Sequence, residues 1–174
     1  MSPDGSRLLI LLLFLILFRA FTTSAEHIIV EVNDAKLKDL AEEDAKYKKL
    51  CDFLSAPSAM LNTFSVHRAL SGICIGTVLV YLVEECIKAE AVWHIIWIAA
   101  AVLAGTVIVS VFSDVIPKRI AEKNLSEKAA LRTMPFIRAL MILLSPVTGL
   151  INALSFVLSK IFGLSAYAKM DVVT

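Results

Sequence analysis

Apolar residues in this chain run in four blocks, Leu8 to Phe18, Ala69 to Val83, Ala91 to Phe112 and Ala139 to Leu158, with charged stretches between them. The third block holds one potentially charged residue, His94. A helix needs roughly 20 apolar residues to cross a ~30 Å hydrocarbon layer, so this block reads as a membrane span. A further span is predicted over 60–83. The link Glu84 to Glu90 allows only a tight turn, which makes the two spans antiparallel neighbours. Gly72 and Gly76 on one helix and Ala101 and Gly105 on the other form small-residue steps that let backbones approach closely. Glycine is also simply common in membrane helices, and the pattern fits either origin.

Between the first two blocks the character changes, with seven Asp or Glu against five Lys from Glu31 to Asp52. Leu37, Leu40, Tyr47, Leu50, Cys51 and Leu54 still keep helical spacing, which predicts amphipathic helices over 33–57 folded as a juxtamembrane hairpin. Asn33 and Asp34 are candidate N-caps, and Ala56-Pro57 ends the helical run. The 33–57 and 117–132 segments hold five Lys or Arg each and the 84–90 turn holds one, so the first two are expected on the cytoplasmic side.

Two blocks stay open on local pattern. Arg7, eleven apolar residues and Phe21-Thr-Thr-Ser-Ala25 suit a secretory signal peptide. They suit equally a retained first span whose Arg19 snorkels or faces a protein interior. In the last block, over 134–163, Pro135 and Arg138 open the segment and Ser145-Pro146 interrupts it. Thr148, Asn152, Ser155 and Ser159 form a polar stripe there, which suits a belt-like interfacial helix as well as a fourth span.

Composition sharpens the class. The 174 residues are 58% hydrophobic and 19% charged, with net charge +1 and mean hydropathy +0.78, more apolar than a soluble domain. No basic footprint for nucleic acid is present. Cys51, Cys74 and Cys86 lie in three different environments, suggesting neither a disulfide framework nor a metal cluster. His27, His67 and His94 are too dispersed for a catalytic or zinc site, and no phosphate loop or hydrolase motif occurs. No enzymatic activity is expected.

Three stretches are similar to the transmembrane domain of the CNNM/CorC family of magnesium transporters. Phe21-Thr-Thr-Ser-Ala-Glu26, followed by Asn33 and Leu37, resembles the family's Phe-Phe-Ser-x-Ser-Glu, Asn and Leu pattern. Leu40-Ala-Glu-Glu-Asp44, Leu54-Ser-Ala-Pro57 and Leu61-Asn-Thr63 resemble its juxtamembrane helices and their entry into the next span. Ser113-Asp-Val-Ile-Pro-Lys118, with Ala121 and Asn124, resembles its Gly-Glu-x-x-Pro-Lys signature.

The resemblance implies an all-α integral, multi-pass membrane protein forming one domain over 1–174. It has three transmembrane helices (8–32, retained; 60–83; 91–116), a cytoplasmic helical hairpin (33–57) and a C-terminal belt-like or fourth membrane helix (134–163). It further implies a homodimer in membrane lipid with an acidic, inward-opening cavity. Relatives usually continue into cytosolic CBS modules, and this chain reads as a divergent member without a CBS pair.

Carried over position by position, the expected ligands of Mg2+ are Thr23, Glu26, Asn62, Thr63, Asp114 and the backbone around Pro117. Magnesium prefers octahedral oxygen coordination, which hydroxyl, amide, carbonyl and carboxylate groups supply. The departures are Ala25 for the second serine, Ser113-Asp114 for Gly-Glu, and His67-Arg68-Ala69 for a Gly-Asn-Asn run. Arg68 either occupies the cavity in place of a cation, pairing with Glu26 or Asp114, or snorkels to headgroups. The function implied is transport or homeostasis of divalent cations, chiefly magnesium. The alternative is a non-transporting scaffold or subunit of a larger membrane complex with a decayed ion site.

Overall fold

Helix punctuation in this chain follows from a few residues. In a computed structural model that describes residues 3–55, 57–86 and 91–162, α1 runs Pro3–Val30 without interruption, so the first block is one long helix. Asn33 caps α2 (Asp34–Glu43) by accepting the Lys36 N–H at 3.0 Å. Asp44 ends α2 and caps α3 (Ala45–Leu54), accepting the Lys46 N–H at 2.8 Å. Pro57 opens α4 (Pro57–Cys86) at its first position, where a missing N–H costs nothing.

The predicted hairpin is thus two helices. Leu37, Tyr47 and Leu50 are buried, and Leu40, Cys51 and Leu54 pack half-buried against the same core. That core joins the hairpin to Ile29 of α1 and Phe64 of α4. Burying such a stripe, at roughly 1.5–3 kcal/mol per large apolar side chain, is what holds a highly charged segment against the membrane helices.

The expected span 91–116 divides. Helix α5 covers Ala91–Ser110, a π-helical turn covers Val111–Val115, and α6 covers Ile116–Lys123. Pro117 explains the change. A regular helix would drive its ring into the carbonyl of Ser113, and it has no N–H to offer that carbonyl. The wider turn avoids the clash, with the Ile116 N–H bonding to the Val111 carbonyl five residues back.

The last helix, α7 (Glu127–Ile161), is continuous through Pro135 and Pro146, so Ser145-Pro146 does not interrupt it as expected. Its contacts resolve its course. Phe136 meets Phe21 with ring centroids 4.6 Å apart, Arg138 lies over the Phe53 ring at 5.3 Å, and Asn152 lies 3.5 Å from Asn62. Phe21 sits nine residues before the end of α1 and Asn62 five residues into α4, two ends that line one cleft. From Phe136 to Asn152, α7 advances about 24 Å, while the levels it touches differ by about 6 Å. It therefore crosses the α1–α4 pair obliquely.

Four segments among the described residues, Gly5–Val30, Pro57–Glu85, Ile95–Lys123 and Glu127–Ile161, are long and apolar enough to cross a membrane. Their outer faces are apolar and open, with Ile95 and Leu103 each 70% exposed, as hydrocarbon contact requires. The salt bridge Lys36–Glu127, 3.1 Å, puts the 33–57 and 117–132 segments at one end of the molecule. Of the predicted turn Glu84 to Glu90, residues 84–86 still belong to α4, and 87–90 lie outside the described residues, as do the side chains of Cys86 and His94 and the last residue of the 134–163 block.

The small-residue steps do not meet each other. Gly105 packs on α4, where an added Cβ would lie 2.6 Å from a Leu79 methyl. Gly72 instead faces α1, 3.4 Å from Arg19 Nη1 by the same construction, and Gly76 has nothing within 4 Å. The close approach of α5 to α4 thus rests on Gly105.

Candidate functional site

Arg19, Thr23 and Glu26 recur at four and three residues along α1, and so share one helix face. That face meets α4 on one side and the π turn with α6 on the other. The guanidinium of Arg19 donates to both carboxylate oxygens of Asp114, Nε to Oδ1 at 3.2 Å and Nη2 to Oδ2 at 2.9 Å. The Thr23 hydroxyl donates to the same Oδ1 at 3.4 Å. One residue on, the Ser24 hydroxyl donates to the Pro117 carbonyl at 3.2 Å. Within the π turn Ser113 is fully buried, its hydroxyl bonded to the Val109 carbonyl at 2.7 Å.

Toward α4, Arg68 Nη2 donates to Glu26 Oε2 at 2.6 Å, and Arg19 Nη1 donates to the Arg68 carbonyl at 3.5 Å. The two arginines and two carboxylates are one linked assembly whose formal charges cancel. It is asymmetric. Side-chain exposure is 14% for Arg19 and 26% for Asp114, against 47% for Arg68 and 21% for Glu26. The Asp114 pair is bidentate and shielded; the Glu26 pair is single and open on its arginine side. Bidentate charge-assisted bonding is the stronger and more directional form.

Of the residues expected to hold magnesium, Thr23, Glu26, Asp114 and Pro117 are brought together here. Asn62 is not, because it faces α7 and Asn152. Thr63 is buried with its hydroxyl turned back onto the Ala59 carbonyl at 2.9 Å. Arg68 pairs with Glu26, with its own side chain half exposed. His67, beside it, is buried with its ring edge-on to Phe18, centroids 5.2 Å apart.

A cavity of about 190 Å³ adjoins Glu26, lined also by Thr23, His27, Leu61 and Lys118. With Lys118 in its wall and Arg68 on its carboxylate, this cavity carries charges of both signs. Among the described residues no three His, Cys, Asp or Glu side chains gather at one point, so any cation here draws mostly on neutral oxygens. Sequence reading missed Arg19 and Ser24 as members of this assembly. For Arg19 a signal was present: a permanent charge inside an apolar segment, in helical register with Thr23 and Glu26.

No curated protein matches the sequence. A family model described as the cyclin M transmembrane N-terminal domain matches residues 10–174, nearly the whole chain. Together with the four long apolar helices and the polar junction of α1 with the π turn, this match establishes that the chain is an integral, multi-pass membrane protein belonging to the CNNM transmembrane domain family.

Proposed function

We propose that this chain handles divalent cations at the membrane, magnesium foremost, as cargo passing the junction of α1 with the π turn. The observation that carries the reading is the convergence of oxygens there. The Thr23 hydroxyl lies 3.4 Å from the Asp114 carboxylate, the Pro117 carbonyl is one turn away, and Glu26 opens onto the adjoining cavity. Six-coordinate magnesium retains several waters, so a few protein oxygens beside a cavity suit it. Arg68 is the exchangeable group: its half-exposed side chain leaves Glu26 when a cation arrives. The resemblance supports a homodimeric assembly in lipid.

Liposomes containing the purified chain and a magnesium-sensitive dye test this reading. Uptake by wild type that falls strongly in Glu26→Gln supports transport. No uptake by wild type or by Arg68→Asn rules it out.

A second reading, a non-transporting scaffold or complex subunit, is favoured by the cancelled charge. Two arginines fill the space where a dication would be attracted, and they tie three helices together. On that reading the assembly is a structural clasp. Wild type then binds no magnesium, while replacing either arginine loosens the fold.

A further inference from the structure

Between α4 and α7 lies an open groove of about 410 Å³ that the cation reading does not use. Its polar walls are Asn62 and Ser65 on α4 and Thr148, Asn152 and Ser155 on α7, over an apolar floor that includes Val66 and Ile151. This is where the polar stripe of the last block points. No charged side chain lines it.

Several hydrogen-bonding positions in the groove are vacant. Asn62 donates to Asn152 Oδ1 at 3.5 Å, leaving Asn62 Oδ1 as acceptor and the Asn152 amide as donor. The hydroxyls of Ser65 and Thr148 donate to their own helices, at 3.0 Å to Leu61 and 3.2 Å to Leu144, leaving their lone pairs as acceptors. Exposed leucines adjoin lining residues on both helices, Leu70 next to Ala69 on α4 and Leu154 next to Ser155 on α7. The mouth therefore faces lipid, and amides that meet hydrocarbon without a partner cost several kcal/mol each.

Depth and charge select the occupant. The α4 side of the groove lies five to twelve residues beyond Pro57, about 8 to 18 Å along the helix axis from the end that carries the charged hairpin. That is below the headgroups, at the level of lipid ester groups and upper chains. Without a cationic side chain the groove cannot neutralise a phosphate, whereas donors and acceptors side by side match an uncharged head bearing both carbonyls and a hydroxyl.

We propose that the α4–α7 groove binds an uncharged glycerolipid of the diacylglycerol class, its ester carbonyl on Asn152, its hydroxyl among Asn62, Ser65 and Thr148, and its chains on the flanking leucines. The oblique course of α7 makes the site, because it lays the polar stripe across the lower third of α4.

The full chain in phosphatidylcholine nanodiscs, exposed to a diacylglycerol with a photoreactive group near its head, provides the test. Labelling is expected on α4 near Ser65 and on α7 near Asn152, competed by unlabelled diacylglycerol and not by phosphatidic acid. Asn152→Leu is expected to cut it roughly five- to tenfold, the loss for one well-made hydrogen bond, with helicity unchanged. Should that variant fold poorly, Ser155→Leu at the groove's open end replaces it. Labelling indifferent to both substitutions overturns the site, as does equal competition by phosphatidic acid. Disulfide dimers through Ser155→Cys, showing the groove covered by a second copy, overturn it too.

Discussion

Arg19 on α1 clasps both carboxylate oxygens of Asp114 in the π turn, at 3.2 and 2.9 Å, across ninety-five residues of sequence. The pair is largely shielded, and in an apolar setting the loss of one partner strands the other charge. Arg19→Gln is thus expected to destabilise the chain by about 2–4 kcal/mol. Adding Asp114→Asn should recover part of that. A double-mutant cycle on thermal unfolding in detergent measures the coupling, and additive effects would show that the clasp does not hold α1 to the π turn.

Arg68 and Glu26 form the looser pair, 2.6 Å apart with the arginine half exposed. Wild type is expected to bind magnesium weakly, because a dication has to displace a guanidinium held by the same carboxylate. Arg68→Asn should strengthen binding by removing a like charge and adding an amide oxygen, and Arg68→Lys should not. Isothermal titration distinguishes the three proteins. Tight wild-type binding that ignores Arg68→Asn, Glu26→Gln and Asp114→Asn alike removes this junction from consideration as the cation site.

Gly105 and Gly76 should behave in opposite ways. A side chain at 105 collides with Leu79, whereas one at 76 meets open space. Gly105→Leu is expected to cost about 1–3 kcal/mol by wedging α5 from α4. Gly76→Leu should stay within about 0.5 kcal/mol, because nothing lies within 4 Å of an added Cβ there. Melting curves in detergent check both. A change in cross-linked oligomer with Gly76→Leu alone would mark that open face as a contact between copies.

Lys36 and Glu127 join the two lysine-rich segments at 3.1 Å, so both must lie on one side of the bilayer. Ten of the seventeen Lys and Arg occupy those segments, so that side is expected to be the cytoplasmic one. In sealed right-side-out vesicles an impermeant thiol reagent should modify Cys86 and spare Cys51. Reverse labelling would invert the topology.

Much of this architecture is written in local pattern. Hydrophobicity adds along a continuous segment, so the blocks from Leu8, Ala69, Ala91 and Ala139 announce long apolar helices without reference to anything distant. The stripe from Leu37 to Leu54 announces a half-buried hairpin because helical period is itself local, and Asn33 and Pro57 set its limits by what their own side chains do to the backbone. The family signatures placed Thr23, Glu26, Asp114 and Pro117 among the functional candidates.

What the tertiary structure decided is which groups meet. Arg19 reads as a charge near a helix end until folding sets it against Asp114, and Asn62 reads as a ligand until α7 lies across α4 and claims it. The slant of α7 follows from its contacts with Phe21, Phe53 and Asn62 together, which no single segment encodes. Ion pairing and hydrogen bonding act over a few ångströms between residues far apart in sequence, so the chain specifies them only through the packing of all its helices.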